Sequence, residues 1–187
     1  MTTIIRNGRI ITAVDDYEAD IFIEDEKISV IGKDLKIDSN KVIDATGKYV
    51  IPGGIDPHTH FDMPFGGTMS ADDFESGPRA AAFGGTTCVI DFAIQTKGES
   101  SLKGLDTWHA KADGKSLIDY AFHMIITDMP DSRLSEMRKL SDEGITSYKL
   151  FMATQAFFMS MMGLFTEHSD RLEITVHESV CMLKMGS

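Results

Sequence analysis

After residue 52, short apolar runs alternate with helix-like segments, and this alternation constrains the fold more than any other feature. The runs are nearly continuous in apolar residues, as in strands buried on both faces, and they cover residues 54–56, 86–93, 120–126 and 146–152. Helix candidates lie between them at 79–83, 102–112 and 131–143, and glycine follows the first and the last of these. Buried strands that alternate with helices predict a parallel sheet covered on both faces.

The repeat spacing suits an α/β fold of the (β/α)8 barrel type, which takes about 250 residues when complete. The chain has 187 residues, so we expect only about half of such a barrel, at residues 53–153. Residues 1–52 carry short strand-like runs without a helical apolar period, which predicts a separate small β module. Within its first run, Asn7-Gly8 is typical of a hairpin turn. Residues 154–187 lack this clean alternation and form a separate tail.

Composition limits the classes of partner. The formal net charge of −11 argues against nucleic acid or an anionic membrane as the main partner. No apolar run approaches the roughly 20 residues that a membrane-spanning helix needs, and residues 1–8 lack the layout of a signal peptide. Cys88 and Cys181 lie far apart and indicate neither a disulfide framework nor a zinc knuckle. A cytoplasmic location fits these features best.

Asp56-Pro57-His58-Thr59-His60 is the sharpest candidate for chemistry. Residues i and i+2 of an extended segment point to the same face, so both imidazoles can reach one metal ion. The pair directly follows the first strand-like run, and active sites of barrels gather at the carboxyl ends of their strands. A His-x-His pair is also common on surfaces and in cores that bind no metal, so this alternative stays open.

Three blocks resemble the amidohydrolase superfamily, specifically its dihydropyrimidinase and D-hydantoinase branch. They are PGGIDPHTHFDMPFGG at 52–67, GGTTCVIDF at 84–92 and SYKLFMA at 147–153, and the resemblance extends over about residues 1–153. It implies a metal-dependent (β/α)8 TIM-like barrel preceded by a small β-sandwich-type module. It also implies a hydrolase that opens cyclic amides, dihydropyrimidines or hydantoins, to N-carbamoyl amino acids.

The same resemblance implies two divalent metal ions, usually Zn²⁺. By position, His58 and His60 are similar to the pair on the first metal, and Lys149 is similar to the carbamylated lysine that bridges both. A protonated lysine repels cations, whereas a buried neutral amine can add carbon dioxide and offer one oxygen to each metal. Taken without the resemblance, Lys149 reads instead as a strand lysine whose amine reaches solvent.

Further roles follow from the resemblance. A metal-bound hydroxide is the expected nucleophile, and no side chain is assigned as a catalytic group. Met63 and Phe65 resemble the loop around the ring substituent of the substrate, although ordinary apolar packing is the alternative for both. Phe61-Asp62 stands where dihydroorotase-like relatives carry an arginine, so an acidic ring substrate is not expected. Full-length relatives imply a homotetramer.

Other polar candidates carry weaker signals. Trp108 and His109 read as residues on a helix surface, and His123 lies within a strand, where packing is a better interpretation than metal ligation. Asp91 ends the second strand-like run and reads equally as a rim residue or a helix cap.

The resemblance stops after Ala153, where Thr154-Gln155-Ala156 replaces the tyrosine, proline and glycine of the family. If one nucleotide is missing near codon 153, the original reading frame combines the last base of each present codon with the first two bases of the next. Because methionine has a single codon, Met161-Met162-Gly163 would then encode Asp-Gly in the original frame. We therefore hypothesise an out-of-frame tail, which DNA sequencing around codon 153 tests.

His177 ends a strand-like run and is either the next metal ligand of the family or an accidental match. The expected product is a truncated, inactive hydrolase; the alternative is a non-catalytic fragment or assembly partner.

Overall fold

The computed structural model describes residues 1–128, 130–151, 172–177 and 180–185. The chain divides into two compact units, Met1–Gly53 and Gly54–Ser187, and each is described by itself.

The first unit is one five-stranded sheet. Its strands are β1 Thr2–Ile11, β2 Asp16–Glu24, β3 Lys27–Gly32, β4 Lys41–Asp44 and β5 Tyr49–Val50. The order is β3-β2-β1-β4, with β5 also on β1; the first three strands are antiparallel, and β4 and β5 run parallel to β1. Alternate side chains of β1 and β2 point to a small apolar cluster of Ile10, Ala19 and Ile21. The predicted β character of this part is confirmed, with a single sheet formed by residues 1–53.

The prediction of a hairpin at Asn7-Gly8 is wrong, because β1 runs straight through this dipeptide. Residues on both sides pair with the same strand β2, and the register shifts only locally, as in a bulge. Asn7 has a φ of 60°, and its N–H donates to Asp20 Oδ1 at 2.9 Å instead of to the ladder. A Cβ at Gly8 would lie 2.5 Å from Val50 Cγ2, so close packing explains the glycine.

The second unit begins with a strand and then repeats helix and strand. Its elements are β6 Gly54–Thr59, β7 Pro64–Phe65, β8 Thr68–Met69, α1 Ser76–Phe83, β9 Thr86–Ile94, α2 Ser101–Ala112, β10 Asp119–Ile125, a 3₁₀ turn Asp131–Arg133, α3 Leu134–Asp142, β11 Ser147–Phe151, β12 Leu172–His177 and β13 Val180–Met185. Strands β6, β9, β10 and β11 are neighbours in that order and are all parallel. The predicted parallel sheet and partial barrel are therefore confirmed.

The strand predicted to end at His177 is present as β12, but it does not lie beside β11. Strand β13 pairs with both and is antiparallel to both, with Val180 opposite His177 on one side and opposite Phe151 on the other. The remainder of the predicted tail, at 154–171, 178–179 and 186–187, lies outside the described residues.

Helix α2 shows why one surface prediction fails. Ser100 caps its start by accepting from Leu102 N at 3.2 Å. Leu105, Trp108 and Ala112 recur at helical spacing and pack into the core, so Trp108 is only 4% exposed rather than on the surface. His109 is half-buried, with its ring 5.0 Å from that of Phe122. Among the helices in the described part of the chain, none is long and apolar enough to cross a membrane.

Candidate metal centre

The two histidines lie at the carboxyl end of β6, where the ladder with β9 is irregular. Asp56 pairs with Val89 and Thr59 with Asp91, so β6 advances three residues while β9 advances two. This extra residue is a bulge, a device that redirects side chains beside functional sites. The rings of His58 and His60 lie 5.1 Å apart between centroids and nearly perpendicular, at 85°. The sequence-predicted pair is thus held together on one side of the sheet.

Phe92, on β9, forms the floor of the site and is fully buried. Its ring centroid lies 4.6 Å from that of His58, 4.9 Å from that of His60 and 4.4 Å from Lys149 Nζ. All three sequence-predicted metal ligands therefore surround one aromatic ring, although β6 and β11 lie at different places in the sheet. Sequence reasoning missed Phe92; the available signal was its place near the carboxyl end of a buried strand.

Burial sets the protonation states of these groups. It lowers the pKa of His60 to about 4, with additional effects of Lys149 and His58, and it lowers the pKa of His58, where Lys149 acts in the same direction. Burial also lowers the pKa of Lys149, a residue of β11 that is only 6% exposed. The lowered pKa values favour the neutral form of both imidazoles at pH 7 and make the amine of Lys149 easier to deprotonate than in water. These are the forms that metal binding and carbamate formation require.

One polar atom at the site lacks a partner. Within the described residues, His60 Nδ1 is buried and makes no hydrogen bond. A buried polar atom without a hydrogen-bond partner lowers the stability of the folded state unless a bound ligand pairs with it. No group of three or more His, Cys, Asp or Glu side chains in the described part of the chain could hold a metal. The two imidazoles nevertheless fit a divalent cation, and Lys149 would add a third ligand beside them if its amine were carbamylated.

Asp91 is a buried anchor near the carboxyl end of β9, and the helix-cap interpretation offered for it is wrong, because Ser100 caps the following helix α2. Its Oδ2 accepts from Thr59 Oγ1 at 2.9 Å and from Phe61 N at 2.7 Å, and its Oδ1 accepts from Trp108 Nε1 at 3.1 Å. Burial raises the pKa of Asp91, while these hydrogen bonds oppose that rise. Because Thr59 and Phe61 flank His60, the carboxylate fixes the backbone that carries this ligand candidate.

His123 is half-buried on β10 and packs on the same floor, 4.7 Å from Phe92 between ring centroids. Its Nε2 bonds the Pro57 carbonyl at 2.9 Å, and its Nδ1 bonds Ser147 Oγ. Burial lowers its pKa, with smaller effects of nearby groups. Both ring nitrogens are engaged, in agreement with the interpretation of His123 as packed rather than ligating.

A cavity of about 440 Å³ opens beside the metal-ligand candidates. His60 and Lys149 line it together with Met63 and Phe65, and the remaining lining residues are Thr68, Met69 and Ser70. The strands β7 and β8 form the hairpin that carries most of this wall. Ser70 Oγ accepts from Met63 N at 2.8 Å and holds the start of the loop. Met63 and Phe65 therefore face the same space as the metal-ligand candidates.

Comparison with known proteins first shows similarity to a family. The model of the amidohydrolase family matches residues 41–91, a stretch that contains His58, His60 and Asp91.

More specific similarity comes from individual relatives. The chain is 58% identical over 164 residues to a D-hydantoinase of Geobacillus stearothermophilus, covering 87% of this chain and 35% of that protein. It is 42% identical over 164 residues to dihydropyrimidinase of Rattus norvegicus, covering 83% and 31%. A crystal structure of D-hydantoinase superimposes with a TM-score of 0.79 at 57% identity, over 82% of this chain and 34% of that one. The predicted resemblance to the hydantoinase and dihydropyrimidinase branch is confirmed, and the chain spans about a third of the length of the curated relatives it matches.

Proposed function

We propose that this chain contributes to the active site of a metal-dependent hydrolase that opens dihydropyrimidine or hydantoin rings to N-carbamoyl amino acids. The observation that carries the proposal is the grouping of His58, His60 and Lys149 around Phe92, beside a cavity of about 440 Å³. The names of the relatives, D-hydantoinase and dihydropyrimidinase, support the same reaction class.

Two divalent metals, with Zn²⁺ as the first choice, would share a carbamylated Lys149. His58, His60 and a carbamylated Lys149 would hold the first metal, and three protein ligands are the number found in catalytic zinc sites that keep one position open. A second metal would share only Lys149 among these residues and would need further ligands from other residues. When bound, such metals acidify water and polarise an amide carbonyl.

The chain's own residues prepare this chemistry. Asp91 holds the backbone on both sides of His60, and Phe92 closes the floor against water. Met63 and Phe65 offer an apolar wall to the substituent of the ring. No cationic side chain follows His60 directly, since Phe61 and Asp62 occupy those positions. We therefore favour substrates whose substituents are apolar or neutral over acidic rings.

A second candidate is a non-catalytic assembly partner. It is supported by β6, an end strand of the described sheet whose residues are largely exposed. Ile55 on this strand and Phe83 at the end of α1 present large apolar side chains to solvent. Exposed strand edges and apolar surface favour association with another chain.

Metal content and turnover, measured together, separate the two candidates. The chain is purified in the presence of Zn²⁺ and bicarbonate, and zinc is quantified by mass spectrometry for the wild type, His58→Ala, His60→Ala and Lys149→Ala. His109→Ala, a half-buried histidine away from the site, is the control. We expect the three site variants to lose zinc and the control to keep it; zinc that stays in all four contradicts the metal site.

Hydantoin ring opening is then followed with the same proteins. Turnover that disappears with each site substitution supports the hydrolase. Bound zinc without turnover is the result expected of a truncated, inactive hydrolase, whereas a chain that binds no zinc supports the assembly partner. A homotetramer is proposed for full-length relatives, and light scattering after size-exclusion chromatography measures whether this chain assembles in the same way. Fractionation of cells tests the proposed cytoplasmic location.

A further inference from the structure

One imidazole connects the two halves of the candidate metal site. We propose that His123 is a positioning residue that holds the His58–His60 segment and the Lys149 strand in fixed relation. This inference rests on the proposed function, because it takes His58, His60 and Lys149 as metal ligands. Neither the sequence pattern nor the similarity to relatives assigns His123 a role.

The first connection fixes the peptide unit that precedes His58. Pro57 lies in the bulge of β6, between the last regular pair at Asp56 and the next at Thr59. Its carbonyl oxygen accepts from His123 Nε2 at 2.9 Å, while the N–H of His58 donates to Asp56 Oδ1 at 3.1 Å. The carbonyl of Pro57 and the N–H of His58 belong to one planar peptide unit. Holding both ends of this unit sets the direction in which the His58 side chain leaves the backbone.

The second connection reaches the strand of Lys149. Ser147 begins β11, and its hydroxyl bonds to His123 Nδ1. Ser147 and Lys149 are two residues apart on a strand, so their side chains point to the same face of the sheet. His123 pairs in register with Phe92, which places its ring on that face as well. The imidazole therefore lies among the groups that it orders.

The hydrogen-bond partners define one tautomer. A backbone carbonyl only accepts, so Nε2 carries the proton and donates to Pro57. In the neutral ring Nδ1 then accepts from the Ser147 hydroxyl. With both nitrogens engaged, His123 acts through β6 and β11 rather than as a ligand. Partners of this kind, one step removed from a metal, typically change metal affinity by about 10- to 100-fold when they are removed.

The test compares His123→Ala, His123→Gln and Ser147→Ala with the wild type. Glutamine can present an N–H where Nε2 lies, so it can keep the bond to Pro57 and lose the one to Ser147. Ser147→Ala removes the same bond by a smaller change that leaves the imidazole in place. His109→Ala is the control for loss of a half-buried histidine that bonds neither segment. Zinc affinity is measured by competition with a chromophoric chelator, and the visible spectrum of the Co²⁺ form reports ligand geometry.

We expect His123→Ala to lower zinc affinity by about 10- to 100-fold and to change the Co²⁺ spectrum. His123→Gln and Ser147→Ala should lose less, and His109→Ala should match the wild type even where its thermal midpoint falls. Unchanged affinity in His123→Ala, or a loss that merely follows the thermal midpoint in both His123→Ala and His109→Ala, overturns the inference.

Hydrogen exchange keeps the inference separate from the proposed function. If the wild type binds no zinc at His58 and His60, the proposed function fails, but the two connections can still be examined. Amides in peptides spanning residues 54–61 and 146–150 should exchange faster in His123→Ala than in the wild type or in His109→Ala. Equal exchange in these proteins shows that His123 does not hold the two segments.

Discussion

Replacing Asp91 by asparagine tests how the site is built. Both carboxylate oxygens of Asp91 accept from groups that can only donate: Phe61 N–H bonds Oδ2 at 2.7 Å, and Trp108 Nε1–H bonds Oδ1 at 3.1 Å. An asparagine amide has one accepting oxygen, and its nitrogen donates. Whichever way the amide is turned, one buried N–H faces another donor.

The size of the effect follows from these contacts. An orphaned buried donor costs about 1–3 kcal/mol, and hydrogen bonds to a charged acceptor contribute more than neutral ones. We therefore expect Asp91→Asn to lower the free energy of unfolding of the second unit by about 2–4 kcal/mol. The Thr59 hydroxyl can reverse its role and accept, so it does not add to this figure.

The assay uses a probe that the chain already contains. Trp108 is the single tryptophan, is buried and contacts Asp91 directly, so its fluorescence during urea unfolding reports on this unit. Asp106→Asn is the matched control, because Asp106 is exposed on the same helix and should change stability by no more than about 0.5 kcal/mol. Equal unfolding midpoints for the two variants would refute the reasoning.

Three further predictions concern the site itself. Burial lowers the pKa of His60 from 6.5 to about 4, so protonation of this residue favours the unfolded chain. The free energy of unfolding should therefore decrease as the pH falls from 6.5 towards 4, and His60→Gln should make this decrease smaller. Incubation with ¹³C-bicarbonate should give a carbamate carbon signal by NMR that is absent from Lys149→Arg, since the depressed pKa of Lys149 favours its neutral amine; the same signal in both proteins would place the carbamate elsewhere. In a form that turns over, Met63→Ala should lower kcat/KM for hydantoins with large apolar substituents by about 5- to 10-fold relative to unsubstituted hydantoin, because Met63 lines the cavity; equal losses for both substrates would exclude a role in substituent recognition.

Much of the second unit could be predicted because its signals are local. Apolar runs located β9, β10 and β11 to within about two residues, and the i, i+2 spacing of His58 and His60 predicted that their rings lie together. The surface interpretation of Trp108 failed for a different reason. The indole is mostly apolar, and its single N–H needed a buried acceptor that comes from β9, far away in the sequence.

The groups that organise the site could not be recognised from local patterns. Asp91 and His123 act on residues that are distant in sequence, since the hydrogen bond from His123 reaches back to Pro57. A buried carboxylate and a packed histidine look the same in sequence whether or not they hold a functional segment. The bulge at Asn7 also depends on a tertiary partner. Its N–H donates to the side chain of Asp20, on the next strand, instead of to a backbone carbonyl of the sheet. Tertiary partners, rather than propensities, decide such positions.

Zinc K-edge X-ray absorption on the zinc-loaded chain tests the central claim most directly. We expect two imidazole ligands with Zn–N distances of about 2.0–2.1 Å, oxygen in the remaining positions and no sulfur. The control His109→Ala should keep its zinc and give the same spectrum. A spectrum with sulfur ligands, or with an imidazole count other than two, would contradict a metal centre built on His58, His60 and Lys149.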